Sequence, residues 1–138
     1  MRVRRLETVR YPPDGSHYQS ESVRPPAWQE IEAAIRRLDH HEFPQAFLFL
    51  DEDDYETNCL WICGGPRGYH LNASFGSALK PWHEYLEPTQ GDQEIDVWTS
   101  DQGFSAPDRN VCHDLDLVLR IARFFADCGH LAPFVRWT

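Results

Sequence analysis

Long apolar runs are missing from this chain. Its 138 residues hold no stretch near the roughly 18 consecutive apolar residues that cross a bilayer. No hydrophobic leader region follows Met1, so neither a membrane span nor export is expected and the cytoplasm is the expected compartment. Positive charge is also scarce: 13 Lys and Arg stand against 22 Asp and Glu, a formal net charge of −9. Twelve of the 13 cations are Arg, a bias from which no partner is read. Five Arg against Glu7, Asp14 and Glu21 make the first 24 residues +2, which leaves −11 on the rest. Nucleic acid and anionic membranes are bound by neutralising phosphates with Lys and Arg, so neither is expected as the main partner. A basic protein surface suits this charge better.

Catalytic signatures are absent as well. There is no G-x-S-x-G elbow, P-loop, G-x-G-x-x-G or H-E-x-x-H. His70, in an expected strand, and His113, near an expected helix start, would serve as bases only if a carboxylate oriented them; hydrogen-bonded structural histidines are the plainer reading. Four Cys and seven His raise a zinc hypothesis, but spacing opposes it. On a strand, Cys59 and Cys63 lie about 13 Å apart at ~3.3 Å per residue, whereas zinc thiolates each sit about 2.3 Å from the ion. Cys112-His113 and Cys128-Gly129-His130 flank a helix about 22 Å long at ~1.5 Å per residue. No metal, cofactor or catalytic residue is assigned, and the cysteines are read as free thiols.

What is present is a folding chain. Eighteen aromatics and 41 % hydrophobic residues argue for one packed domain rather than disorder. Residues 1–10 alternate loosely, as an edge strand would, and 11–26, rich in Pro and Ser, read as a loop, so 1–26 is taken as an N-terminal extension. Residues 27–138 then form the domain. Pro26 opens a helix whose Trp28, Ile31, Ile35 and Leu38 make one apolar stripe. Runs at 45–50, 57–63 and 68–75 with short links predict an antiparallel meander. Residues 76–91 read as an irregular connection. A further strand is expected over 93–99 and a broadly apolar helix over 113–127, stopped by Gly129. The tail PFVRWT makes a last strand. The predicted class is α+β, an antiparallel meander of four to six strands with two main helices packed on it.

Two acidic features point to a partner. Asp51, Glu52, Asp53, Asp54, Tyr55 and Glu56 sit between two apolar runs. They are no EF-hand, which needs Gly at the sixth place and Glu at the twelfth, where this chain has Glu56 and Ile62. A solvated hairpin tip that protects strand ends is the plain reading; a lure for a basic partner is the functional one. On the strand at 93–99, alternation sets Ile95 and Val97 on one side, with Asp92, Glu94, Asp96 and Trp98 on the other. If that second side faces solvent, Trp98 is an anchor framed by carboxylates, Asp101 included; if not, Trp98 is core. Tyr55, Trp82 and Tyr85 would extend the patch.

The order of these pieces is similar to a known family. The Trp-bearing helix, the apolar strand ending in acids, the meander around GGPRGYHLNASF, the strand EIDVW and the segment LRIARFFADCGHLAPFVRW resemble the Imm-one family of bacterial polymorphic-toxin immunity proteins. Ile121-Ala122-Arg123-Phe124-Phe125-Ala126, Pro133 and Trp137 carry most of the likeness, which spans roughly 27–138. The resemblance implies an α+β fold without catalysis that neutralises a cognate toxin, often a nucleic-acid deaminase, by tight binding inside the producing cell. It carries over no contact residue. The expectation is an immunity protein that occludes a basic toxin's cleft through 51–56 and 92–101; the alternatives are a general acidic interaction module or a small His-dependent hydrolase. The sequence leaves the oligomeric state open.

Overall fold

Arg5–Arg10, the first strand (β1), lies one place in from the sheet margin. The computed structural model describes residues 1–51, 58–76 and 82–138. In it β1 pairs antiparallel on one side with β3 (Gln45–Phe49) and on the other with β2 (Gln19–Val23), which is the true edge. Two expectations are corrected here: 1–10 is an interior strand, and 11–26 contains a strand. The reason is burial, since Val3, Leu6 and Val9 are too apolar for a margin and all are buried, whereas β2 is mostly exposed.

The meander follows as expected. β3, β4 (Cys59–Gly65), β5 (Gly68–Ser74), β6 (His83–Leu86) and β9 (Arg136–Trp137) complete a seven-stranded antiparallel sheet ordered β2-β1-β3-β4-β5-β6-β9. The predicted irregular stretch 76–91 thus supplies β6. The expected strand at 93–99 does not join this sheet. It becomes β7 (Glu94–Trp98), paired with β8 (Phe104–Pro107) as a separate two-stranded sheet.

Helix α1 (Trp28–Arg37) turns Ile31, Ala34 and Ile35 inward, and the Glu30 carboxylate accepts the Ala27 N–H at 2.9 Å at its start. Helix α2 (Leu115–Cys128) is capped by Asp114, whose carboxylate accepts from the Asp116 and Leu117 N–H groups, and it ends on Gly129 at φ 71°. Both helices pack on one sheet face. There Ile31, Ile35, Val118, Ile121, Ala122 and Phe125 meet Leu48, Leu60, Ile62 and Leu71 in a single buried cluster. The β7–β8 hairpin covers part of the opposite face, where Val97, Ala106 and Val111 pack with Cys63.

Register fixes what that opposite face presents. One cross-strand row runs Ser22, Glu7, Phe47, Trp61, Asn72, Glu84, and its neighbour runs Val9, Gln45, Cys63, His70. Side chains at paired positions share a face, so register and the strand period together gather these residues.

Candidate partner-binding surface

The outer side of the β7–β8 hairpin is acidic. Glu94 pairs with Pro107 and Asp96 with Ser105; Asp92, Glu94, Asp96 and Asp101 are all exposed. Among the described residues none of the four takes part in an ion pair, whereas Glu32, Glu42 and Asp127 each hold an Arg. Four carboxylates on a protein of net charge −9 thus face solvent without a counter-ion among the described residues.

Trp98 does not stand with them. A bulge puts Val97 between the Asp96–Ser105 and Trp98–Phe104 pairs. Because Phe104 and Ser105 point to opposite sides, the extra residue returns Trp98 to the side of Ile95. There it packs with Phe104 against the second cluster, its indole N–H donating to Ser100 Oγ at 2.8 Å and its ring 5.7 Å from Tyr11. Strict alternation predicted the reverse. Of the acidic hexamer only Asp51 is described: it is exposed and accepts from Asn58 Nδ2 at 2.8 Å. Glu52, Asp53, Asp54, Tyr55 and Glu56 lie outside the described residues. Of the aromatics proposed to extend the patch, Tyr85 is buried on the helix side, while Trp82 is 43 % exposed with its ring 6.5 Å from Trp61.

Beside the hairpin lies an aromatic row that alternation alone could not assemble. Phe49, Phe47 and Trp61 stack in near-parallel fashion at 5.9 and 6.1 Å, and Phe104 tilts over Trp61 at 5.8 Å. Each ring comes from an expected strand or loop, but the row exists only once β3 and β4 are in register and the hairpin has folded across. Acids and aromatics therefore share the side of the sheet away from the helices.

Both candidate histidines have carboxylates. His70 Nε2 is 2.9 Å from Glu84 Oε2, and Asn72 Nδ2 is 3.4 Å from His70 Nδ1. This arrangement suits a neutral ring that donates from Nε2 and accepts at Nδ1. Burial lowers the His70 pKa below its ordinary 6.5, with Glu84 opposing. His113 Nε2 is 2.6 Å from Asp108 Oδ1 on the surface. The thiols of Cys59 and Cys63 offer little reactivity, since burial pushes both up, the latter to about 12. Among the described residues no group of three or more His, Cys, Asp or Glu is placed to hold a metal ion.

No family model and no curated protein matches the chain. A crystal structure of a hypothetical protein from Neisseria gonorrhoeae superposes with a TM-score of 0.62 over 94 % of this chain and 91 % of that one, at 9 % identity. That likeness is one of fold alone. Among the described residues no helix is long and apolar enough to cross a membrane.

One positioning residue, His40, escapes the sequence reading. His40 is 3 % exposed, adopts φ 72° and ties the β4–β5 turn to β7. It follows α1 in a stretch that reads as connector, and its partners are 27 and 57 residues away. Only the presence of Gly64 and Gly65 hinted that something approaches the backbone closely: a Cβ on Gly65 would sit 2.6 Å from the His40 ring.

Proposed function

We propose that this chain is a cytoplasmic, non-catalytic immunity protein that binds a cognate toxin with a basic, nucleic-acid-handling cleft and blocks it. One observation carries the reading: Asp92, Glu94, Asp96 and Asp101 are exposed on or beside one hairpin, with no ion pair among the described residues. A cleft built to hold phosphates presents Lys and Arg, and these carboxylates offer the same complement as a phosphate chain. Long-range attraction steers the approach. The half-buried Phe47, Trp61 and Phe104 of the aromatic row, in which Phe49 is buried, supply apolar area of the kind that holds protein complexes together. The decisive experiment is co-expression with the neighbouring gene product. Rescue from toxicity with co-purification supports the proposal; a neighbour without toxicity favours a general acidic interaction module.

The contacts of His70 and His113 favour a hydrolase as second reading. Against it, both His70 ring nitrogens already have partners and the ring is 1 % exposed. Rescue of toxicity without any stable complex, abolished by His113→Ala, would establish an enzymatic antidote instead.

A further inference from the structure

The turn after β1 and the turn closing the β7–β8 hairpin face each other across a cleft of about 610 Å³. Tyr11 lines it, its ring 5.7 Å from that of Tyr18 and 5.7 Å from that of Trp98. Tyr18 is 61 % exposed, so this aromatic surface is not consumed by the protein's own core. Asp101 lines the same cleft, exposed, at φ 52° and without an ion pair among the described residues. No Arg or Lys lines it among the described residues; its two histidines are His17 and His41, the latter with Nδ1 3.0 Å from Thr99 Oγ1.

Tyr11 and Tyr18, tilted 36° to each other, offer π faces, and Asp101 offers two acceptor oxygens. An anion would meet a carboxylate and a protein of net charge −9, while a purely apolar group would strip water from Asp101 with nothing in return. A planar cation satisfies both halves of the cleft. A guanidinium stacks on an aromatic face and presents a fork of N–H donors that matches a carboxylate, which a compact ammonium does less well. We propose that this cleft is an anchor pocket for an arginine side chain carried on a loop of a partner protein. That the carrier is a protein rests on the immunity reading above; the preference for guanidinium rests on the cleft alone.

The test titrates the full chain with the blocked peptide acetyl-Gly-Arg-Arg-Gly-amide and follows the Trp98 indole N–H and the amides of 15–18 and 99–101 by proton–nitrogen correlation spectra. Saturable shifts at those signals are expected, about fivefold weaker in affinity for the citrulline and lysine analogues and for Asp101→Asn, and weaker again for Tyr18→Ala. Asn tolerates the left-handed backbone at 101, and Tyr18 is exposed, so both variants should fold. Equal binding of the citrulline or lysine peptide, or shifts confined to 92–96, overturns the pocket. Cleft binding without toxin rescue keeps the pocket and removes the toxin reading; rescue with a silent cleft removes the pocket alone.

Discussion

His40 donates its Nδ1 proton to the Val97 carbonyl at 3.0 Å while its Nε2 accepts the Arg67 N–H at 2.9 Å. The second bond fixes the neutral tautomer that the first requires. One imidazole thus clamps the acidic hairpin to the β4–β5 turn, and the Thr99 N–H adds a bond to the His40 carbonyl at 2.8 Å. His40→Ala would leave a carbonyl and an N–H short of partners, and a loss of about 2–4 kcal/mol in urea unfolding is expected.

The same clamp sets a pH dependence. Burial holds the His40 pKa below 6.5 in the folded state, and His70 shifts the same way for the same first cause. Above about pH 6.5 both states are neutral and stability is full. As the pH falls through that value the unfolded chain takes up protons that the folded one refuses, and stability declines until the folded pKa values are reached. The urea midpoint should therefore fall between about pH 7 and about pH 5, less steeply in His40→Gln; an unchanged slope in that variant would assign the dependence elsewhere.

Trp98→Ala should act first on the fold. Its ring packs on the second cluster and against Tyr11, so a loss of about 2 kcal/mol is expected, below the roughly 3–5 kcal/mol of a fully buried aromatic because the ring is only half-buried. Thermal unfolding of the free protein checks this; an unchanged Tm would place the ring outside the core.

The main helices, the meander and the closing strand were legible because their apolar periods are clean and their turns short. Ile31 and Ile35 read as helix core, and Leu60 and Ile62 as strand core, and all four are buried. The misreadings share one cause, interactions between residues far apart in sequence. β1 is interior because β2 pairs with it, and Trp98 turns inward because one extra residue in β7 shifts the phase. Period-2 counting cannot see a bulge, and composition cannot place Phe47 beside Trp61. The acids at 92, 94, 96 and 101 were visible as residues, but their lack of ion pairs among the described residues is a property of the folded surface.

Glu84 tests the assignment of His70 as a neutral structural ring. The carboxylate raises the His70 pKa against the larger lowering by burial. Glu84→Gln removes that charge, so the His70 pKa should fall further while Nε2 keeps its proton, both readable from the imidazole nitrogen shifts in a pH titration. A rise in the pKa would show that Glu84 is not the raising partner.

The acidic hairpin makes the sharpest demand on the proposed function. Asp92, Glu94 and Asp96 are exposed and unpaired among the described residues, so converting all three to the amides should change stability by less than about 0.5 kcal/mol. Steering by charge acts on encounter, and exposed charges are screened beyond about 10 Å at 0.1 M salt. With the cognate toxin, the triple variant should therefore associate about tenfold more slowly at low salt, converge on the parent at high salt, and dissociate at nearly the parent rate. Equal association rates at low salt would mean that these carboxylates do not guide the complex. A change confined to dissociation would instead make them direct contacts within it.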